Sequence, residues 1–307
     1  MSESLKDETH TRRRVLSPIL DAERFQTLSS AVRVEIGATS QRGSLRPHND
    51  DHYLAIRLAR SQAIVSTSLA SSDLPENFQE QAFAFLVADG LGDRGVGSMA
   101  SRIALSTFAH LALHFGQWNV RIDGFTAQQV MERAKRFYEQ INDAVLKRGQ
   151  EDSQLRGMAT TLTAAYSAGD DLFIAHVGHS RVYCFRDGEL LRLTADHTIE
   201  ERNARAPQPQ AVPRSSQDLR HILTDTLGGK AGLPEILIEH FRLQDGDRLL
   251  LCTNGLTDVL TDDQIAEALS CRRRPQEECR ALADLATARG GEDDVTVVLA
   301  DYRIPKI

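Results

Sequence analysis

Residues 83–88 are an unbroken apolar run, Phe-Ala-Phe-Leu-Val-Ala, and the run stops at Asp89-Gly90-Leu91-Gly92. An apolar strand that ends in Asp-Gly fixes one carboxylate at a sharp turn on a rigid element, which is how a protein holds a hard divalent cation. Glycine at 90 lets the backbone come close, so its carbonyl is available as a further oxygen ligand. Taken alone, Asp-Gly after a strand marks an ordinary turn. Five further segments, in order along the chain, give it company: Arg42-Gly43-Ser44-Leu45-Arg46-Pro47-His48-Asn49-Asp50-Asp51, Gly157-Met158-Ala159-Thr160-Thr161-Leu162, Gly178-His179-Ser180-Arg181, residues 246–256 with Thr253-Asn254-Gly255, and residues 290–298 with Asp293-Asp294. They add carboxylates and an arginine whose planar fork matches two oxygens of a phosphoryl group. For Arg46 the plain alternative is a surface arginine capping its loop through Pro47.

In that order and spacing the segments resemble the metal-dependent serine/threonine phosphatases, the PPM or type 2C family, and its bacterial branch in particular. The resemblance runs from about residue 32 to residue 302. It implies an α+β fold, a two-sheet antiparallel β-sandwich flanked by helices on both faces, with two Mn2+ or Mg2+ ions at one end of the sheets. By resemblance Asp89, Asn254 and Asp293 hold the first ion, and Asp89 with the Gly90 carbonyl and waters holds the second. Asp50 and Asp51 accept hydrogen bonds from the waters, and Arg46 binds the phosphoryl group. Two ions about 4 Å apart in such a site acidify a water and offset phosphoryl charge, so no phosphoenzyme is needed. Three positions depart from the family pattern: His179 and Asn254 stand where aspartates are usual, and Asp93 where a glycine is usual. Asn254 coordinates through a neutral amide oxygen and weakens the first site. His179 leaves Asp258 as the remaining carboxylate of a possible third metal site, and a nitrogen donor there favours manganese over magnesium. Thr160, Thr161, Arg181 and His197 read as structural residues around this centre.

The elements that must position these groups follow from periodicity. Alternating or apolar runs bounded by Gly or Asp predict strands over residues 32–38, 53–58, 82–88, 161–167, 172–177, 181–185, 236–243, 247–252 and 294–300. Apolar residues recurring at three and four predict helices over 97–117, 127–149, 262–270 and 275–289, the last stopped by Gly290-Gly291. Consecutive strands with grouped helices suggest two antiparallel sheets covered by helices. Residues 59–81 and the proline-rich residues 203–216 read as loops. Residues 1–31 read as a polar tail, and residues 32–304 as a single phosphatase domain.

Composition narrows the function. A net charge of -7 and a pI near 5.8 disfavour nucleic acid as a partner. No stretch approaches the roughly 20 apolar residues that span a bilayer, and the first thirty residues are too charged for a secretion signal. Four cysteines without Cys-x-x-Cys spacing suit free thiols in a reducing cytoplasm. Two functions follow: a cytoplasmic phosphatase acting on phosphoproteins made by a bacterial Ser/Thr kinase, or a non-catalytic phosphoprotein-binding module that has lost two-metal chemistry through Asn254 and His179.

Overall fold

The structure is a computed structural model, and it describes residues 31–62, 64–69, 78–92, 95–115, 124–206, 217–230 and 232–305. Strand β3 (Phe78–Leu91) shows how the central apolar runs arise. Its Phe83, Phe85 and Val87 enter one core, and its Ala84, Leu86 and Ala88 enter another. A strand buried on both faces loses the polar alternation of a half-exposed one. The same division recurs in β11 (Arg248–Cys252), where Leu249 and Leu251 face the first core and Leu250 and Cys252 a third. In β12 (Val295–Arg303), Val298, Ala300 and Tyr302 oppose Val297 and Leu299 in the same way.

Two antiparallel sheets share the first core. One is ordered β1 (Arg33–Gln41), β12, β11, β7 (Arg181–Arg186), β8 (Glu189–Arg192). The other is ordered β10 (Leu237–Arg242), β6 (Asp171–Val177), β5 (Leu162–Ala168), β3, β4 (Ala159–Thr160), β9 (Leu227–Gly228), with β2 (Asp51–Gln62) paired to β3 off this path. Helices α1 (Val96–Phe115) and α2 (Gly124–Glu151) cover the second sheet. Val130, Phe137, Tyr138, Ile141 and Val145 make a buried stripe on α2 at helical spacing. A short α3 (Ile199–Arg205) and the single turn α4 (Asn254–Thr257) follow. Helices α5 (Asp262–Ser270) and α6 (Pro275–Ala288) cover the outer face of the first sheet. Thr261 starts α5 with a capping box to Gln264, and Pro275 opens α6 where its missing N–H costs nothing. The expected sandwich with helices on both faces is the fold of this protein.

The pattern misjudged some boundaries. Residues 59–81, read as a loop, carry four more rungs of the β2–β3 ladder, from Ala59↔Gln81 to Gln62↔Phe78. Among the described residues β2 pairs with β3 alone, and its polar residues can face solvent, so hydrophobicity fades before the pairing does. The two-residue strands β4 and β9 leave too few residues for any period to register. Residues 1–30, 93–94 and 207–216 lie outside the described residues, so the tail, Asp93 and most of the proline-rich segment have no structural account here.

The end of β3 is locked against the start of α1 by contact between two glycines. A Cβ on Gly90 would lie 2.1 Å from the Gly97 carbonyl oxygen, and one on Gly97 would lie 2.4 Å from that of Gly90. Gly97→Ala must force these backbones apart. Overpacking of this kind costs about 1–3 kcal/mol, more than the gain in helix propensity of about 1 kcal/mol returns. A thermal unfolding midpoint equal to or above wild type would contradict this packing.

Candidate active site

Antiparallel pairing sets Asp51 of β2 directly opposite Asp89 of β3 at one end of the ladder. Like charges facing each other destabilise a strand pair, and both carboxylates are buried. Burial and the Asp293 charge push Asp89 up to about 8, against the pull of Arg46. Burial and the Asp89 charge likewise push Asp51 well above the usual carboxylate range.

Each acid is therefore held by specific bonds. Asp89 is fixed through its backbone: its N–H donates to Thr161 Oγ1 at 3.0 Å, and its carbonyl accepts from Thr160 Oγ1 at 2.8 Å and Thr161 N at 2.9 Å. The side chain stays free to face the cluster. Asp51 Oδ2 accepts from Thr253 Oγ1 at 2.6 Å, and that hydroxyl accepts in turn from Thr296 N at 3.0 Å. Asp50 Oδ1 accepts from Ser98 N at 3.1 Å in the first turn of α1, where the helix end favours negative charge. Burial raises the Asp50 pKa and the Ser98 bond opposes that rise. The Asp50 carbonyl accepts from Gly90 N at 3.2 Å and Ser101 Oγ at 2.7 Å, which joins β2, β3 and α1 at this point.

The last turn before β12 supplies the other half. Asp294 spends its carboxylate on two backbone amides, Gly43 N to Oδ1 and Asp50 N to Oδ2, both at 2.8 Å. Its neighbour Asp293 points the other way, and Arg46 Nε donates to Asp293 Oδ1 at 2.7 Å. Burial works against the Arg46 charge, but Asp293 more than compensates and its pKa is raised. Asn254, at the start of α4, donates from Nδ2 to Asp258 Oδ2 at 3.1 Å and to Asp293 Oδ2 at 3.4 Å. Its Oδ1 is then the atom left for a cation. His221 Nδ1 lies 3.7 Å from Asp258 Oδ2, and His221 Nε2 accepts from Arg220 Nε at 2.9 Å. His179 Nε2 is 3.8 Å from Asp89 Oδ2, while its buried Nδ1 has no hydrogen-bond partner among the described residues. Burial pushes His179 down to about 4, so at neutral pH it brings no charge.

These contacts bring Arg46, Asp50, Asp51, Asp89, Gly90, Asn254, Asp258, His179 and Asp293 into one connected group. The donors are mostly carboxylate, amide and carbonyl oxygens, and the group is short of positive charge, as the raised Asp89 and Asp51 show. Such a donor set fits a hard divalent cation. Among the described residues no three His, Cys, Asp or Glu side chains are grouped tightly enough to hold an ion by themselves. Neutral oxygens from Gly90, Asn254 and water must complete any coordination sphere. Sequence reasoning missed the roles of Asp294, Thr253, Ser98 and His221. Nothing in Asp293-Asp294 tells which aspartate faces the cluster, and His221 follows a stretch with no motif at all. The residues read as structural sit as such: Arg181 pairs with Asp196 at 2.7 Å, and His197 accepts from Gly178 N through Nδ1 at 3.4 Å.

A sequence profile of the family named protein phosphatase 2C matches residues 74–288. The chain belongs to the protein phosphatase 2C family. It is 33% identical over 215 residues to the serine/threonine protein phosphatase PstP of Mycobacterium tuberculosis, covering 70% of this chain and 39% of that protein. The chain thus spans well under half the length of that relative. It is 27% identical over 264 residues to the serine/threonine phosphatase stp of Listeria monocytogenes, covering 85% of this chain and 93% of that one. Among solved structures, the S. agalactiae serine/threonine phosphatase superposes with a TM-score of 0.69 at 25% identity, over 87% of this chain and 99% of that one. The catalytic domain of PstP in complex with 2 manganese ions superposes with a TM-score of 0.64 at 28% identity, over 89% and 99% of the two chains.

Carboxylates whose pKa is raised by folding bind more protons folded than unfolded, so the stability they contribute falls as pH rises through the interval between the two values. For Asp89 that interval runs from the model-peptide value of 3.8 to about 8. A bound divalent ion replaces the proton and removes the penalty. The rise in thermal midpoint on adding manganese is therefore expected to be larger at pH 8 than at pH 5. A rise that is equal at the two pH values, or larger at pH 5, would mean that these acids do not face the ion.

Proposed function

We propose that this chain is a protein serine/threonine phosphatase that hydrolyses phosphomonoesters with two divalent ions, Mn2+ or Mg2+. The observation that carries this reading is a buried carboxylate cluster whose guanidinium, Arg46, stays about half exposed, with 44% of its side-chain surface accessible. Asp89, the Gly90 carbonyl, Asn254 Oδ1 and Asp293 would hold the ions, with Asp258 and His179 beside them as donors of a possible third site. When bound, the ions offset phosphoryl charge and acidify the attacking water. The chain's own residues do the rest. Asp50 and Asp51, each anchored by a named donor, orient the waters around the ions. Arg46 spends Nε on Asp293 and presents its two Nη groups to two phosphoryl oxygens, where charge grows in the transition state. A bond from Arg42 Nη1 to the Arg46 carbonyl steadies that loop.

Relatives that carry phosphatase names, one of them with two manganese ions in its structure, support the enzyme reading. The non-catalytic alternative, which rested on Asn254 and His179, gains no support from them. Among the described residues no helix is long and apolar enough to cross a membrane. The free thiols of Cys184, Cys252, Cys271 and Cys279 support a reducing cytoplasm as the place of action. Phosphoproteins made by a bacterial Ser/Thr kinase are the substrates this reading implies. As a domain, the reading takes residues 32–304 together, with residues 1–31 as a tail.

Hydrolysis of an aryl phosphate and of phosphothreonine peptides is expected to require added metal, to be faster with manganese than with magnesium, and to stop in EDTA. Arg46→Ala is expected to lower kcat/KM roughly 10² to 10³-fold, and Asp89→Asn to remove almost all activity. Turnover unchanged in chelator, or near-normal kinetics for Asp89→Asn, would overturn the proposal.

Asn254→Asp adds a third carboxylate where Asn254 now donates to Asp258 and Asp293. The metal-free variant is expected to melt below wild type, and its affinity for manganese to rise on the order of tenfold. Calorimetric titration gives the second number and thermal unfolding without metal the first. Equal affinities for Asp, Asn and Ala at 254 would remove this residue from the metal site.

A further inference from the structure

Two exposed large aliphatic residues are the chain neighbours of the two ends of the line of contacts Arg46, Asp293, Asn254, Asp258, His221. Leu45 precedes Arg46 and is 69% exposed. It is held in a tight turn: Arg46 N donates to the Gly43 carbonyl at 3.3 Å, and Leu45 N donates to the Glu292 carbonyl at 3.3 Å. Ile222 follows His221 and is 43% exposed. Its N–H donates to the Leu219 carbonyl at 3.4 Å, and its carbonyl accepts from Ile199 N at 3.0 Å. Single exposed apolar residues are common on any surface. These two differ in that both are tied down by backbone bonds and both are chain neighbours of residues that touch the cluster.

We infer that Leu45 and Ile222 form an apolar rim that selects phosphopeptides with an aliphatic residue within about two positions of the phosphorylated one. This rests on the phosphatase reading of the site. A phosphoryl group seated at Arg46 brings the flanking residues of an extended peptide, spaced about 3.3–3.6 Å apart, across the neighbouring Leu45. An aliphatic flank there removes apolar surface of both partners from water. Acidic flanks meet the opposite: a carboxylate set against an aliphatic side chain loses hydration with no partner to replace it. A contact favourable to one class and costly to the other makes the selection sharper than either alone.

The test uses the full chain loaded with manganese, a pair of phosphothreonine peptides that differ only in carrying Leu or Asp at the flanking positions, and an aryl phosphate with no flanks. The Leu peptide is expected to show at least about tenfold higher kcat/KM, the size of one modest hydrophobic discrimination. Leu45→Ser and Ile222→Ser are each expected to lose most of that preference while turning over the aryl phosphate normally, and Leu45→Met to restore it. Equal kcat/KM for the two peptides in the wild type, or a preference that survives both serine variants, overturns the rim. If the aryl phosphate itself is not hydrolysed, the phosphatase reading fails. Fluorescence anisotropy of the two labelled peptides then decides the rim by affinity, with equal dissociation constants overturning it and tighter binding of the Leu peptide supporting it.

Discussion

Mutual repulsion among carboxylates is the constraint on which this structure turns. Asp50, Asp51, Asp89, Asp258, Asp293 and Asp294 converge from four separate stretches of chain, and without restraint they would spread apart. Most of the polar bonds described above serve to prevent that. Asp294 is instructive because it gives up its charge to two backbone amides and so ties the loop carrying Arg46 to the start of β2. Asp293, one residue earlier, is thereby left to face the opening with Arg46 as its partner.

The two-sheet scaffold answers the same constraint. Strand ends are rigid when both faces of the strand are packed, and β3, β11 and β12 are buried on both sides by the sandwich core and by helices. Asp89, Asp293 and Asp294 sit at the ends of β3 and β12, so their backbones cannot relax away from one another. Threonines complete the fixation with short hydroxyl bonds: Thr160 and Thr161 on Asp89, Thr253 on Asp51. A cation entering such a group finds donors already in place and pays little for ordering them. His179 adds volume and a neutral nitrogen where a carboxylate would have deepened the repulsion.

Much of this was legible in the chain. The run at residues 83–88 is long and apolar because β3 is central, and the helices α2 and α6 repeat their apolar residues cleanly because one stripe of each is buried. Asp89 stood out because the apolar run stops at Asp89-Gly90, whereas the roles of Arg46 and Asp293 came from the resemblance of their segments to the family. What was hidden depends on the third dimension. Asp293 and Asp294 are chemically identical and differ only in which way the turn aims them. Thr253 looks like any strand-end threonine until β12 brings Thr296 beside it. The outer reach of β2 was hidden for another reason, since pairing with one strand only lets polar residues continue a ladder that hydropathy does not reveal.

The pairing of Asp51 with Asp89 sits at the first rung of a twelve-residue strand that is half exposed and has β3 as its partner. A slip of one residue in that ladder turns every β2 side chain to the opposite face. His52 would then stand across from Asp89, and Asp51 would lose Thr253. Leu54 and Ile56, which pack against the core between β3 and the helices, would turn away from it, and Tyr53 and Arg57 would turn toward it. Register at this strand is thus held by the same apolar residues that help to stabilise it: a misregistered molecule would lose packing as well as its active site. Metal affinity and the thermal midpoint in its absence are tied to the same twelve residues, and an error in β2 register shows in both.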